Sequence, residues 1–364
     1  MTHEPGAADW PQAGHDAMNT SRGGIRWTGY GSRPRPVRRM AESESPPIVV
    51  GDVVAYVSLD NTLNVRDHRT GHPRWDAGLL ARRGRFNGQT APAVVGDVLC
   101  AVSPGWVAGF RLSTGDPLWQ LDVDIADPVP PSAVDRTVFV GGEDRSLLAL
   151  NATTGKIRWE TQLTRNEFGG GAAGTAVAGD TVIVGCTDGF VHALDAATGK
   201  RRPQWPAVTG SELLLPVCVH GDVVIAASGD RVYGIDVTTG ERRWRRRLEA
   251  PVNGGLALGG GFVVACTPSS VCAIAVGDGQ VRWQTRLKGT IEAPSIADDV
   301  VVVPSGSPHW LHAISLPDGR RLWDVPLASE PHCAPVVAGD RLLITAGDSV
   351  EVFAFDRAAG PPGA

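Results

Sequence analysis

The chain has 364 residues, 42% of them hydrophobic and 20% charged, a balance that supports a large core and excludes a disordered polymer. A formal net charge of −5 excludes the basic footprint of a nucleic-acid binder. The longest apolar runs, such as residues 300–303, are strand-sized and far short of the ~20 residues of a membrane helix.

Residues 1–9 read as a tail, without the basic and then apolar order of a secretory leader. The expectation is therefore a soluble cytoplasmic monomer with no membrane or nucleic-acid partner. Residues 36–43 read as an isolated strand. First strands of successive sheets begin near Pro46, Ala91, Pro130, Gly174, Pro216, Gly255, Ala293 and Ala334, and residues 361–364 form a second tail. Within the unit that starts at Ala91, a strand over 91–95 meets a Gly96-Asp97 turn and a second strand. A Ser-Pro-Gly turn leads to a third strand from Trp106, and a Ser-Thr-Gly turn at Gly115 leads to a fourth over 118–123. Further Gly-Asp pairs at Gly51, Gly179, Gly221 and Gly339 mark the same first hairpin. The last unit has only three strands before the chain stops, so residues 36–43 are expected to supply its fourth and remove the open edge.

The units are copies of one motif. ALNATTGKIRW at 149–159 recurs as GIDVTTGERRW at 234–244 and GFRLSTGDPLW at 109–119, with weaker copies ending at Trp75, Trp205, Trp283 and Trp323. The turn glycines Gly71, Gly115, Gly155, Gly199, Gly240, Gly279 and Gly319 are spaced 44, 40, 44, 41, 39 and 40 residues apart. A four-stranded sheet that is apolar on both faces needs a neighbour on each side, and radial repetition provides both. The reading is an all-β, eight-bladed β-propeller, one domain over 10–360, with four antiparallel strands per blade and its ring closed in blade 8 by the N-terminal strand.

This repeat resembles the tryptophan-containing repeat of the quinoprotein-type (PQQ-like) propeller superfamily, and WPQAGHD at 10–16 resembles the opening of its stand-alone members. The resemblance implies that the repeat tryptophans pack between blades. Blade 4 departs by a two-residue insertion before Trp205, and the closing strand has Arg38 and Arg39 where a tryptophan is due. The superfamily includes dehydrogenases, protein scaffolds and sensor domains. The redox members resemble one another in an adjacent cysteine pair and an acidic calcium set, neither of which is found here, so the expectation is no cofactor and no PQQ-dependent dehydrogenase. The six cysteines are scattered. Cys266 and Cys272 flank a hairpin across which they could pair.

In a propeller, the loops leading into each first strand and the turns between second and third strands open on one face. Aligned leading loops carry Glu44-Ser45, Gln89-Thr90, Pro128-Val129, Ala172-Ala173, Leu214-Leu215, Asn253-Gly254, Ile291-Glu292 and His332-Cys333. Blades 3, 4 and 5 are apolar there, and the other five form one polar arc. Trp106, Phe190 and Trp310 stand nine residues before their turn glycines and are expected at the rim of this mouth. The expected ligand-binding set is Gln89, Asn253, Trp106, Trp310, Phe190 and Leu214, for a small amphipathic molecule or a protein partner. The alternative is a cofactor-independent lyase, isomerase or cyclase using His332 with Glu44 or Glu292 as acid and base. No metal site is expected, because His309 and His312 are three apart on a strand and point to opposite faces. The run Arg242–Arg247 reads as a charged outer strand that guards a sheet edge or docks an acidic partner.

Overall fold

The computed structural model describes residues 22–23, 32–41, 43, 45–58, 60–79, 90–125, 128–142, 146–163, 172–203, 205 and 215–355. Each Val/Ile/Ala-rich repeat forms a small antiparallel sheet whose strands follow chain order from the centre of the ring outwards. Blade 1 runs Ile48–Val50, Val53–Val57, Thr62–Asp67, Pro73–Gly78, and blade 2 runs Ala93–Val95, Val98–Ser103, Trp106–Arg111, Pro117–Asp122. Blade 3 uses Ser132–Val134, Thr137–Gly141, Ser146–Asn151 and Ile157–Gln162. Blades 5 and 6 start at Cys218–His220 and Asn253–Gly259 and end at Arg242–Arg247 and Val281–Arg286. Blade 7 runs from Ser295–Ala297 to Arg321–Pro326. The first strands start within two residues of the positions read from the sequence.

Blade 4 departs from the pattern. Ala172–Ala178, Thr181–Cys186 and Val191–Asp195 form a three-stranded sheet, and among the described residues pairing beyond it is one bridge, Leu194 to Arg201. Pro203 has no N–H to give the ladder, and the insertion carries the chain out of register. Trp205 still reaches the next blade, where its indole N–H donates to Val237 O (3.1 Å).

Blade 8 confirms the closure. Val336–Ala338, Arg341–Ala346 and Ser349–Ala354 are completed by Arg35–Ala41, antiparallel to Ser349–Ala354 with Arg39 opposite Glu351 and Met40 opposite Val350. A second N-terminal contact had no sequence signal. Arg22–Gly23 runs parallel to Ser295–Ala297, the innermost strand of blade 7, and so lies inside the ring. Being parallel, it runs in the direction of a first strand.

Burial grades outwards. Second strands such as Val98–Ser103 are buried at every position, whereas outer strands such as Pro73–Gly78 alternate between exposed and half-buried. The blades are joined through the repeat tryptophans. Trp75, Trp119, Trp159, Trp244 and Trp283 donate their indole N–H to Leu112, Ala152, Ala196, Val276 and Leu316 O of the following blade, at 2.6–2.9 Å. Each ring also covers the next turn glycine. At Gly155, φ is +68° and a Cβ would stand 2.5 Å from Trp119, so both conformation and space demand glycine. Where blade 8 has no tryptophan, the Arg38 side chain lies over Gly71 of blade 1 in its place.

The proposed pairing of Cys266 with Cys272 does not occur. Cys266 stands opposite Val271 and Cys272 opposite Ala265, so adjacent rungs send the two thiols to opposite faces, and both are free.

Candidate functional site

The leading loops and second turns open on one face, and several polar side chains of the inner strands and loops have a structural task. Asn253 donates its amide to Ile291 O of the next blade (2.7 Å). Thr90 donates to Pro128 O (3.1 Å), Ser132 to Thr175 O (3.0 Å), Thr345 to Ser45 O (3.0 Å) and Ser295 to Pro335 O. The inner hydroxyls and the Asn253 amide therefore stitch neighbouring blades where first strands are too short to pair with one another.

Of the proposed acid–base residues, His332 and Glu292 lie among the described residues. His332 is exposed, and its backbone N–H donates to Thr345 O (3.2 Å). Glu292 is half-buried, and burial together with the nearby Glu330 carboxylate pushes its carboxyl above the ordinary range. Glu292 thus has a second carboxylate, Glu330, as a charged neighbour. Cys333, partly buried beside it, has its thiol raised by burial, with the hydrogen bonds of Thr345 acting the other way. Glu44, Gln89 and Leu214 lie outside the described residues.

The aromatic rim is also redistributed. Trp106 is only 2% exposed and belongs to the core cluster that spans blades 1 and 2. Trp310 is half-buried, and Phe190 is 43% exposed and stacks on His192, with ring centroids 6.0 Å apart.

One polar constellation escaped the sequence reading. His312 Nδ1 lies 2.6 Å from Asp324 Oδ1, and its Nε2 lies 3.1 Å from Ser305 Oγ. Arg321 donates to the other Asp324 oxygen (2.7 Å). Burial alone would raise the Asp324 carboxyl, but the bonds from His312 and Arg321 hold it below the usual value. The order Ser, His, Asp is that of a hydrolase relay, yet Ser305 is fully buried and no substrate carbonyl reaches it. It is an internal hydrogen-bond chain across three strands of blade 7. The signal was periodic: His312 stands seven residues before its turn glycine and Asp324 five after it, positions shared by all the blades.

Five of the six cysteines sit singly in different strands and Cys333 lies in the loop before Val336–Ala338, while Arg22–Gly23 lies beside the innermost strand of blade 7.

Comparison with known proteins bears on fold, family and location. The quinohemoprotein alcohol dehydrogenase ADHIIG from Pseudomonas putida superimposes with a TM-score of 0.80 at 14% identity, covering 98% of this chain and 82% of that one. At that identity the likeness is one of fold. BamB of Moranella endobia is 25% identical over 337 residues, 86% of each chain. BamB of Burkholderia pseudomallei is 30% identical over 174 residues, 46% of this chain and 44% of the relative. The match thus spans less than half of that relative's length. These relatives are named outer membrane protein assembly factors, which overturns the cytoplasmic expectation drawn from the first residues. The model of the family described as outer membrane protein assembly factor BamB matches residues 16–129, 110–226 and 269–361, most of the chain, and the protein belongs to that family.

Proposed function

We propose that this propeller is a protein-interaction scaffold that receives its partner on the face of the leading loops. The observation that carries the reading is the state of the mouth itself. His332 is exposed, and Phe190 on the same face exposes a large apolar ring. Exposed aromatic side chains beside polar groups favour recognition of a surface, and turnover needs a partly desolvated acid and base. Relatives named as assembly factors support a partner of the same kind, a protein undergoing assembly. Of the two ligand classes read from the sequence, the protein partner is favoured over the small amphipathic molecule, because Arg22–Gly23 takes up room inside the ring.

The test is site-specific photocrosslinking in the native host. A photoreactive phenylalanine analogue at position 190 or 310 should crosslink to a discrete protein, and one at Thr153, on the opposite face, should not. Crosslinks at Thr153 alone, or none at the mouth, would refute the reading. Ligand-dependent turnover that is lost on Glu292→Gln would instead favour the enzyme alternative.

A further inference from the structure

The hairpin between the second and third strands of blade 4 gathers three side chains of metal-ligating type. Cys186 ends Thr181–Cys186, Asp188 sits in the turn and His192 lies on Val191–Asp195. Val184 is the rung partner of His192, so Cys186, two residues on, projects from the same face. A donor atom from each of the three lies within 4.8 Å of the others. Donors around a tetrahedral zinc ion stand roughly 3.4–3.8 Å apart, so closure needs a movement of about 1.4 Å at most.

The equivalent positions elsewhere show what is unusual here. In blade 1 they are Ser58, Asp60 and Asn64, and the set is closed: Ser58 donates to Asp60 (2.6 Å) and Asn64 donates to Ser58 (2.9 Å). In blade 7, Ser305 and His312 are closed through Asp324. In blade 4 the hydroxyl has become a thiol and the amide an imidazole. The buried Nε2 of His192 has no hydrogen-bond partner among the described residues. Blade 4 is also the blade whose outer pairing, among the described residues, is a single bridge.

We propose that Cys186, Asp188 and His192 form a binding site for a borderline divalent cation of the zinc class. Thiolate with imidazole and one carboxylate suits zinc or cobalt far better than calcium or magnesium. Asp188 Oδ1 accepts the Phe190 N–H (3.0 Å), which sets the turn and leaves Oδ2 for the ion. The fourth position is open to water. Arg201 opposes binding: its Nη1 lies 2.7 Å from His192 Nδ1. When Nε2 takes the ion, the single proton of the neutral ring must sit on Nδ1, and two donors then face each other. Arg201 therefore releases the ring while keeping its bond to Gln162 O (2.9 Å). The ion ties the turn to the third strand in the blade that has least outer pairing among the described residues.

The experiment titrates the full-length, metal-free protein with cobalt(II) and then zinc(II). One equivalent should saturate it, with thiolate-to-cobalt charge-transfer absorption that zinc abolishes, and zinc should raise the melting temperature. Cys186→Ser should remove the absorption. Asp188→Asn keeps the acceptor for the turn, so it should fold normally and weaken zinc binding by tenfold or more. Arg201→Ala should tighten binding severalfold, whereas the control Cys333→Ser should leave it unchanged. Absence of saturable one-equivalent binding, absorption that survives Cys186→Ser, or weaker binding by Arg201→Ala would each overturn the proposal.

Discussion

Replacing Trp159 by alanine isolates the contact that holds one blade to the next. The indole is 8% exposed, lies 5.8 Å from the Phe139 ring centroid, donates 2.9 Å to Ala196 O and covers Gly199. A buried tryptophan removes roughly 200 Å² from water, which at about 25 cal/mol per Å² gives about 5 kcal/mol as an upper bound. Alanine retains part of that, and the released Ala196 carbonyl can turn to water, so the expected loss is about 3–5 kcal/mol. Arg38→Ala is the internal control. Arg38 takes the tryptophan's place over Gly71 but is exposed, so its loss should cost under about 1 kcal/mol. Urea unfolding followed by far-ultraviolet circular dichroism reads both without relying on tryptophan emission. Equal midpoints for the two variants, or a Trp159→Ala loss under about 1 kcal/mol, would show that the blades are held by something other than these rings.

Three further outcomes follow from the same contacts. Gly155→Ala should destabilise by roughly 1–3 kcal/mol, since its φ of +68° and the Trp119 ring both oppose a Cβ, whereas Gly78→Ala, with open space around it, should be near neutral in the same melts. Deleting residues 1–45 removes Arg35–Ala41 and bares the edge of Ser349–Ala354, so size-exclusion chromatography should show aggregation and unfolding should lose cooperativity. The hydrogen bonds of Arg243 and of the Thr239 N–H hold the Asp236 carboxyl at about 2, below its ordinary 3.8. A depressed folded value means that the stabilisation is complete above pH ~4 and is lost as pH falls through 2. Asp236→Asn should flatten the acid limb of a midpoint-against-pH plot in that window, and an unchanged limb would contradict the pairing.

The ring was legible because one residue type marks each blade. A glycine with positive φ followed by a tryptophan recurs at a nearly fixed spacing, and strand alternation supplies the rest. Even the closing strand announced itself, through the blade that lacked a fourth. Polarity at the mouth was read less well. Asn253 looked like a group held for a ligand, but its partner is a carbonyl of the adjacent blade, 38 residues away in the chain. Blade-to-blade hydrogen bonds leave no trace in a single unit's pattern. Trp106 misled for a related reason: sequence spacing fixes its rung but not whether its ring turns to the rim or the core. Arg22–Gly23 was invisible because two residues have no periodicity at all.

The closing strand sets the order in which this molecule can be made. Within a blade every rung joins residues a few tens of positions apart, but Arg39 and Glu351 must find each other across nearly the whole chain. During synthesis the closing strand emerges with no partner until the last repeat is complete. Until then blade 8 has no outer strand, and Val350 and Val352 lie along an unpaired edge. Folding should therefore divide into fast local collapse and one slow, long-range latch, and the intermediate between them is the species that a chaperone has to guard.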